Sequence, residues 1–258
     1  LRGQRSTPAS GLALPRVEAF AFGPGSVTVD GREVREIEWR SKKSKELFFY
    51  LLSHRRGATK EQIFEALWPE WSPDRCNTCF HPTAHRLRRA LYSDCLSFQD
   101  GRYVLHPGGD IHYDVEDFGK LISEAGQLPR GSAGRASRLR QAVALYRGTF
   151  LEDFYSEWCE TLRRELESQY VRALASLGGY HAASGQYAMA IELLEKCLAI
   201  DSYQEDAQYE LMNAHLLAGN PGGAVQCYRR YADVLRSELA IEPPKRMREL
   251  LLTVATKV

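Results

Sequence analysis

The sequence predicts a mainly α-helical protein in which a small unit of strands and helices precedes an all-helical array. Two Asp-Gly pairs, at residues 30–31 and 100–101, each stand between short apolar runs. Such pairs favour two-residue hairpin turns, because both central residues of a type I′ turn need a positive φ. Three helical patterns lie between the two pairs, and from about residue 115 helical periodicity continues almost to the end of the chain.

The front of the chain begins with strand-like patterns. Apolar and polar residues alternate from Val17, and a second apolar run precedes the first Asp-Gly pair. A helical pattern over residues 44–53 ends in two arginines and Gly57. Thr59 is a suitable N-cap for a second helix, which Pro69 stops. A third helix is predicted from about residue 75 to Tyr92, and residues 96–105 form a hairpin about the second Asp-Gly pair. A small sheet, three helices and a terminal hairpin are the plan of a winged helix-turn-helix.

The back of the chain contains a repeat with a period of 34 residues. Gly185 corresponds to Gly219 and Ala190 to Ala224, which places a glycine in each turn and a small residue in each second helix. Closely crossing helices need small residues at such positions, and 34 residues is the tetratricopeptide spacing. A plain helical bundle with a chance period is the weaker alternative. The sequence thus predicts a linker or tail over residues 1–15, a winged-helix DNA-binding domain over 16–110, and a tetratricopeptide-like (TPR-like) domain over 111–258.

Charge is distributed unevenly between these parts. The chain of 258 residues has a formal net charge of +1. Residues 1–110 contain 17 basic and 13 acidic side chains, whereas residues 111–258 contain 17 and 20. A basic front and an acidic back indicate an anionic partner for the front only.

The third front helix is the strongest functional signal. At 100° per residue, Phe80, Ala84, Leu87 and Leu91 form one apolar stripe. The opposite face carries basic and hydrogen-bonding residues, flanked by His81 and Arg88: Arg75, Thr78, Pro82, His85, Arg86 and Arg89. Such a helix fits the major groove of DNA, where Arg can bond guanine with two hydrogen bonds. A solvated basic face is the alternative, and the neighbouring helices and hairpin favour DNA over it.

The order of these motifs resembles a known family. Leu67-Trp68-Pro69, Arg86-Leu87-Arg88-Arg89 and Gly101-Arg102-Tyr103 are similar to the OmpR/PhoB-type winged helix. The back resembles the bacterial transcriptional activator domain, on the strength of several motifs: Leu145-Tyr146-Arg147-Gly148-Thr149-Phe150-Leu151, Trp158, Arg163-Arg164-Glu165-Leu166, Tyr228-Arg229-Arg230-Tyr231 and Glu242-Pro243-Pro244. Together the two parts resemble the antibiotic-regulatory, or SARP-type, transcriptional activators over residues 17–256.

This resemblance implies a sequence-specific transcriptional activator that binds promoter DNA. It implies base contacts at His81, Pro82 and Arg86, and backbone contacts at Thr78, His85 and Arg88. It also implies a minor-groove contact at Arg102. Arg89 is a further predicted DNA-binding residue, because it lies on the basic face of the third helix. RNA polymerase is the implied partner of the loop formed by Glu70, Trp71, Ser72 and Asp74. The family also tends to bind direct DNA repeats as a homodimer.

Pro82 departs from an ordinary helix interior. A proline there costs about 3 kcal/mol and removes one backbone hydrogen bond. We therefore expect the third helix either to begin later than residue 75 or to be kinked at Pro82.

Catalytic and cofactor signatures are missing from the sequence. It has no Gly-rich phosphate loop, Gly-x-Ser-x-Gly or His-Glu-x-x-His motif. We therefore expect no enzymatic activity and no cofactor. Cys76, Cys79, His81 and His85 are close in sequence, but the second Cys-x-x-Cys of a usual zinc site is absent, so no metal is expected. A redox role for Cys76 and Cys79, which lie near Arg75, stays open.

The expected compartment is the cytoplasm. Six cysteines are spread over a chain that is long enough to fold without disulfides, which is typical of reduced thiols. Neither a secretory signal nor a membrane-spanning stretch is evident, so no membrane partner is expected. The first residue is Leu rather than Met, which is compatible with a piece of a longer protein.

Two alternative functions remain open at this stage. In one, the repeats bind a protein partner and the winged helix only mediates contacts. In the other, a small ligand or peptide binds the repeat domain and controls DNA affinity. Steep salt dependence of DNA binding would separate the leading hypothesis from the first alternative.

Overall fold

The computed structural model describes residues 15–105 and 111–255. Within them the chain forms two compact units. The first consists of the described residues up to Asp114 together with Gly148–Leu162, and the second contains Val115–Arg147 and the residues from Arg163 onward. The tail predicted for residues 1–15 lies outside the described residues except for Pro15. A small mixed unit followed by a helical array confirms the predicted fold class.

Most elements of the first unit follow the predicted order. Its strands and helices are β1 (Val17–Phe20), β2 (Ser26–Val29), β3 (Arg32–Glu33), α1 (Glu36–Trp39), α2 (Lys42–Ser53), α3 (Lys60–Leu67), α4 (Pro73–Ala90), β4 (Leu96–Gln99), β5 (Arg102–Leu105) and β6 (Ile111–Tyr113). The short elements α1 and β6 were not predicted, because three or four residues are too few to show a period. The predicted N-cap of α3 is confirmed: Thr59 accepts the Gln62 N–H at 3.3 Å, and the Gln62 side chain accepts the Thr59 N–H at 2.9 Å.

A four-stranded sheet in the order β3-β2-β1-β6 begins this unit. Strand β1 runs antiparallel to β2 and parallel to β6. Asp30 and Gly31, with φ of 51° and 77°, form the predicted tight turn between β2 and β3. A parallel pair needs a long crossover, and here the crossover contains the helices and the β4–β5 hairpin.

The β4–β5 hairpin, which we call the wing, is tied to the loop before α3. Asp100 and Gly101 have φ of 49° and 79°, as the Asp-Gly signal predicts. The Ala58 N–H donates to the Tyr103 carbonyl at 3.0 Å, and the Tyr103 N–H donates to the Ala58 carbonyl at 2.8 Å. These paired bonds fix the wing next to the start of α3.

Gly57 should be essential to this attachment. Its φ is +76°, and a Cβ at this position would lie 2.7 Å from Val104 Cγ2 and 2.8 Å from the Tyr103 carbonyl oxygen. We expect Gly57→Ala to lower the free energy of unfolding of the first unit by about 2–3 kcal/mol, from backbone strain plus steric overlap. Gly101→Ala is the matched control, since Gly101 has φ +79° with no atom within 4 Å of the added carbon. Equal losses in denaturant unfolding of the two variants would contradict the close approach.

The segment Gly148–Leu162 belongs to the first unit although it follows two helices of the second. The Gly23 N–H donates to the Thr149 carbonyl at 3.0 Å, and the Leu151 N–H donates to the Ala21 carbonyl at 2.8 Å. Phe150 and Leu151 are completely buried. The segment therefore completes the core beside β1.

This arrangement differs from the predicted domain boundary at residue 110. Strand β6 pairs with β1, and the completely buried Asp114 accepts the backbone N–H groups of Ala21 at 2.8 Å and Phe22 at 3.2 Å. Residues 111–114 and 148–162 thus lie in the first unit rather than in the helical array. Pairing between such distant segments leaves no mark on local periodicity, and the domain bounds at residues 110 and 111 stay a prediction.

The second unit is helical in its described residues. Its helices are α5 (Asp114–Gly126), α6 (Ala133–Leu145), α7 (Glu157–Ala183), α8 (Tyr187–Ile200), α9 (Glu205–Leu217), α10 (Pro221–Val234), a π-helical turn (Leu235–Leu239) and α11 (Lys245–Ala255), with the first residues of α5 and α7 counted in the first unit. Gly185 and Gly219 have φ of 73° and 74° in equivalent turns. Ala190 and Ala224 are both completely buried. The 34-residue correspondence is therefore a structural repeat.

Candidate nucleic-acid interface

Helix α4 starts earlier than predicted. Ser72 takes the N-cap position with an extended backbone, and Pro73 is the first helical residue, where its missing N–H removes no helical bond. Asp74 lies in the first turn, where its charge is favourable. The helix ends at Ala90, two residues before the predicted end.

One face of α4 is buried in the first unit. The buried residues follow the helical period: Cys76, Phe80, Thr83, Ala84, Leu87 and Ala90. The Phe80 ring contacts those of Phe64 and Tyr103, at centroid distances of 6.0 and 4.6 Å. Helix α4 is thus held against both α3 and the wing.

The opposite face of α4 is open. Arg75, Thr78, His81, Pro82, His85 and Arg89 are exposed, whereas Arg86 and Arg88 are partly buried. The structure therefore brings the sequence-predicted side chains of α4 to one side of a single helix.

Pro82 neither delays nor ends the helix. Helix α4 continues through it from Pro73 to Ala90, so the expected late start is wrong. Pro82 is exposed, and on the following residue the Thr83 hydroxyl donates to the Cys79 carbonyl at 2.8 Å.

The three arginines near the end of α4 differ in their partners. Nε and Nη2 of Arg88 donate to the Leu96 carbonyl at 3.2 and 2.9 Å, which links α4 to the first wing strand. Arg86 and Arg89 have no ion pair or hydrogen bond within the described residues. Two of the three guanidinium groups are therefore available to an external anion.

Asn77 was missed by the sequence analysis. It is exposed one turn before His81 and two turns before His85, and its side-chain oxygen accepts a hydrogen bond from the Lys60 ammonium group. An asparagine amide can pair with adenine in the major groove. On the helical plot Asn77 falls next to Ala84, at the edge of the apolar stripe, so the plot gives no signal for it. Its exposure depends on how α4 packs in the first unit.

The remaining predicted groups lie on either side of α4. Arg102 is exposed on the wing, and its Nη1 donates to the Gly57 carbonyl at 3.2 Å and to Gln62 Oε1 at 3.3 Å. The Thr78 hydroxyl donates to the Asp74 carbonyl at 2.9 Å. Both side chains are thereby held in place, although Arg102 keeps further donors.

The loop between α3 and α4 is more ordered than its sequence indicates. The Trp71 ring stacks on that of Trp68, at a centroid distance of 6.1 Å and an angle of 22°. The Arg75 guanidinium lies 3.9 Å from the Trp71 ring centroid. Glu70, Ser72 and Asp74 remain exposed around this stack. The loop thus presents acidic side chains next to a fixed aromatic group.

The cysteines of α4 do not form a ligand set in the described part of the chain. No group of three or more His, Cys, Asp or Glu side chains in residues 15–105 and 111–255 is arranged to hold a metal ion. Cys76 is buried with its Sγ 3.7 Å from the Trp68 and Trp71 carbonyl oxygens, whereas Cys79 is partly accessible. Burial raises the pKa of the nearby Cys95 thiol to about 11.

None of the helices in the described residues is both long enough and apolar enough to cross a membrane.

Comparison with known proteins finds similarity to a bacterial family and to two bacterial regulatory proteins. Residues 113–254 match the family model described as "Bacterial transcriptional activator domain". The chain is 26% identical over 204 residues to the regulatory protein AfsR of Streptomyces coelicolor, and 24% identical over 203 residues to AfsR of Streptomyces griseus. Each alignment covers 78% of this chain but only 20% and 21% of those proteins, so the chain spans about a fifth of their length.

A solved structure shares the fold. Mycobacterium tuberculosis EmbR, in complex with a low-affinity phosphopeptide, superimposes with a TM-score of 0.75 at 22% identity. The match covers 94% of this chain and 66% of that one. The order of a winged-helix unit and a helical repeat unit is therefore shared across nearly the whole chain.

Proposed function

Because the chain belongs to the bacterial transcriptional activator domain family, we propose that it is a sequence-specific regulator that binds promoter DNA through α4 and the wing. In this proposal α4 enters the major groove and the wing reaches the adjacent minor groove. The helical unit either regulates DNA binding or mediates the association of two copies of the protein. No catalytic step is part of it.

The exposed basic face of α4 is the observation that carries the proposal. Its other face is anchored by Phe80, Ala84 and Leu87, so the helix can present side chains to a groove without losing its own packing. Arg86 and Arg89 have no acidic partner within the described residues, which leaves their charge for phosphates or base edges.

We propose different roles for individual side chains. Arg86 is proposed to read guanine, with His81 and His85 at neighbouring base edges and Pro82 in apolar contact with a base. Thr78 and Arg89 are proposed to contact phosphates, and Arg102 the minor groove. Arg88 is proposed to act mainly by holding the wing to α4, with any phosphate contact made through its remaining nitrogen.

Selection from randomised duplexes tests this proposal and needs no known promoter sequence. The whole chain should enrich a defined sequence, and fluorescence anisotropy should show its affinity for that duplex falling about 10³-fold or more between 50 and 200 mM salt, if six or more phosphates are contacted. No enrichment, or affinity that does not depend on salt, would contradict the proposal and favour a protein-interaction module.

Arg86→Ala should weaken binding to the selected duplex by about 1–3 kcal/mol and relax the preference at one base pair. Arg140→Ala removes the same charge from an exposed position on α6 and serves as the matched control. We expect the control to bind like the parent chain. Equal loss in the two variants would show that only overall charge matters.

Three further roles extend the proposal. Glu70, Trp71, Ser72 and Asp74 are proposed to contact RNA polymerase, because they surround a fixed aromatic stack beside the DNA-binding helix. Two copies are proposed to bind direct repeats on DNA. The helical unit is proposed to receive the regulating signal, as a small ligand or a peptide.

The DNA-binding part should be prepared as a longer piece than the sequence indicates. Residues 16–110 form the predicted domain, but Gly148–Leu162 supplies part of the same core. We propose that a functional DNA-binding unit includes both.

A further inference from the structure

A cavity in the second unit brings several arginines together. It has a volume of about 520 Å³, and Arg130, Arg135 and Arg172 line it together with Ser176, Tyr180 and Asp206. Arg130 lies in the segment between α5 and α6, Arg135 in the first turn of α6, and Arg172 on α7. None of these side chains belongs to the proposed DNA interface.

The charge of this cavity is opposite to that of its surroundings. Residues 111–258 contain more acidic than basic side chains, yet none of these three arginines forms an ion pair within the described residues. By contrast, Arg138 on the same helix pairs with Glu124 at 3.0 Å. Asp206 is the acidic residue in the lining, and Arg246 already pairs with it at 2.7 Å. The cavity therefore carries uncompensated positive charge.

One of the guanidinium groups is held in position but incompletely bonded. Arg135 Nη1 donates to the Ala125 carbonyl at 3.0 Å and to the Leu128 carbonyl at 3.5 Å. Its Nε is buried and has no hydrogen-bond partner. The Nε atom is shielded from solvent and fixes the charge in the wall of the cavity. The Nη2 atom has no acceptor within the described residues, so it is the donor that an oxygen atom of a ligand would satisfy.

We propose that this cavity binds a small phosphorylated ligand. Each planar guanidinium group can donate two parallel hydrogen bonds to phosphate oxygens. Three arginines in one lining favour an anion with more than one negative charge, as a phosphate ester or a pyrophosphate has, over a single carboxylate. The partly buried Tyr180 ring offers an aromatic wall for an organic group attached to the phosphate. The volume lies within the range of small-molecule sites. This site deepens the proposed regulatory role of the helical unit by naming the class of ligand, and it rests on that role. It is independent of the proposed DNA interface, because it lies in the other unit and needs no DNA.

Calorimetry and thermal unfolding of the whole chain with pyrophosphate, ATP and adenosine test the proposal. We expect ATP or pyrophosphate to bind and to raise the melting temperature. Arg130→Ala and Arg172→Ala should each weaken that binding about tenfold or more, because each removes a charged hydrogen bond. Both positions are exposed, so the variants should melt like the parent when no ligand is present. Arg140→Ala again serves as the control of equal charge.

The outcomes separate the ligand sources and the possible failures. Tighter binding of ATP than of pyrophosphate would support a nucleotide, and equal binding would support free phosphates. Three results would overturn the proposal. They are no binding of either ATP or pyrophosphate at millimolar concentration, binding of adenosine that is as tight as that of ATP, and a loss of ATP binding in Arg140→Ala equal to that in Arg130→Ala or Arg172→Ala. If Arg172→Ala instead weakened binding of the selected duplex DNA, the arginines would belong to the DNA interface and the ligand site would be rejected. Arg86→Ala should leave ATP binding unchanged, so a failure here and a failure of the proposed function are distinguishable.

Discussion

Phe150→Ala should destabilise the winged-helix unit by about 3–5 kcal/mol, the usual cost of deleting a completely buried phenylalanine side chain. Phe150 lies outside the predicted DNA-binding domain and inside the stretch that matches the activator-domain family. It nevertheless forms a β-bridge with Phe22, and its ring lies 6.2 Å from that of Trp158. Its loss should therefore open the core beside β1.

Hydrogen exchange measured along the chain checks where this loss occurs. Exchange should accelerate in β1 and α2, while α8 to α10 keep their protection, and affinity for DNA should fall together with the stability of the first unit. Tyr155→Ala is the matched control, because Tyr155 lies in the same segment with 84% of its surface exposed. We expect this control to be close to neutral. Accelerated exchange confined to the second unit in Phe150→Ala would show that the segment belongs there instead.

Leu194→Ala should cost the helical unit about 2–5 kcal/mol, because Leu194 is completely buried in its core. The same side chain explains why Gly178 is a glycine. A Cβ at Gly178 would lie 2.7 Å from Leu194 Cγ and 2.9 Å from Leu194 Cδ2. Gly178→Ala should thus overpack the contact by about 1–3 kcal/mol, offset by about 1 kcal/mol from the better helix propensity of alanine.

Combining these two substitutions gives a sharper test than either alone. In the Leu194→Ala background the overlap is gone, so Gly178→Ala should become stabilising, with a coupling of about 1–3 kcal/mol. Gly179→Ala is the control on the neighbouring residue, where no atom lies within 4 Å of the added carbon, and it should stabilise in both backgrounds. Strictly additive effects of Gly178→Ala and Leu194→Ala in denaturant unfolding would contradict the close helix contact.

Local patterns predicted the elements whose formation depends on nearby residues. The Thr59 N-cap, the turns at Asp30-Gly31 and Asp100-Gly101, and the buried stripe of α4 all depend on residues within a few positions of one another. The 34-residue repeat was visible for the same reason, because each turn needs its own glycine. The structure confirms these predictions.

Long-range pairing was beyond these patterns. Strand β6 has three residues, and its partner β1 is more than 90 residues away in the sequence. The motif that contains Phe150 and Leu151 does not show that it packs beside β1. That position follows from the bond of the Gly23 N–H to the Thr149 carbonyl and of the Leu151 N–H to the Ala21 carbonyl. Two further features depend on tertiary contacts, which the helical plot of α4 does not contain. They are the hydrogen bond from Arg88 to the Leu96 carbonyl and the stack of Trp71 on Trp68.

Methylation interference at guanine N7 tests the central claim, that α4 reads bases in the major groove, most directly. N7 is one of the two guanine acceptors that an arginine contacts in that groove. On the selected duplex, methylation of particular guanines should abolish binding by the parent chain, and Arg86→Ala should become insensitive to methylation at one of them. Binding that ignores guanine methylation throughout, or an interference pattern that is identical in the parent and in Arg86→Ala, would contradict the placement of α4 in the major groove.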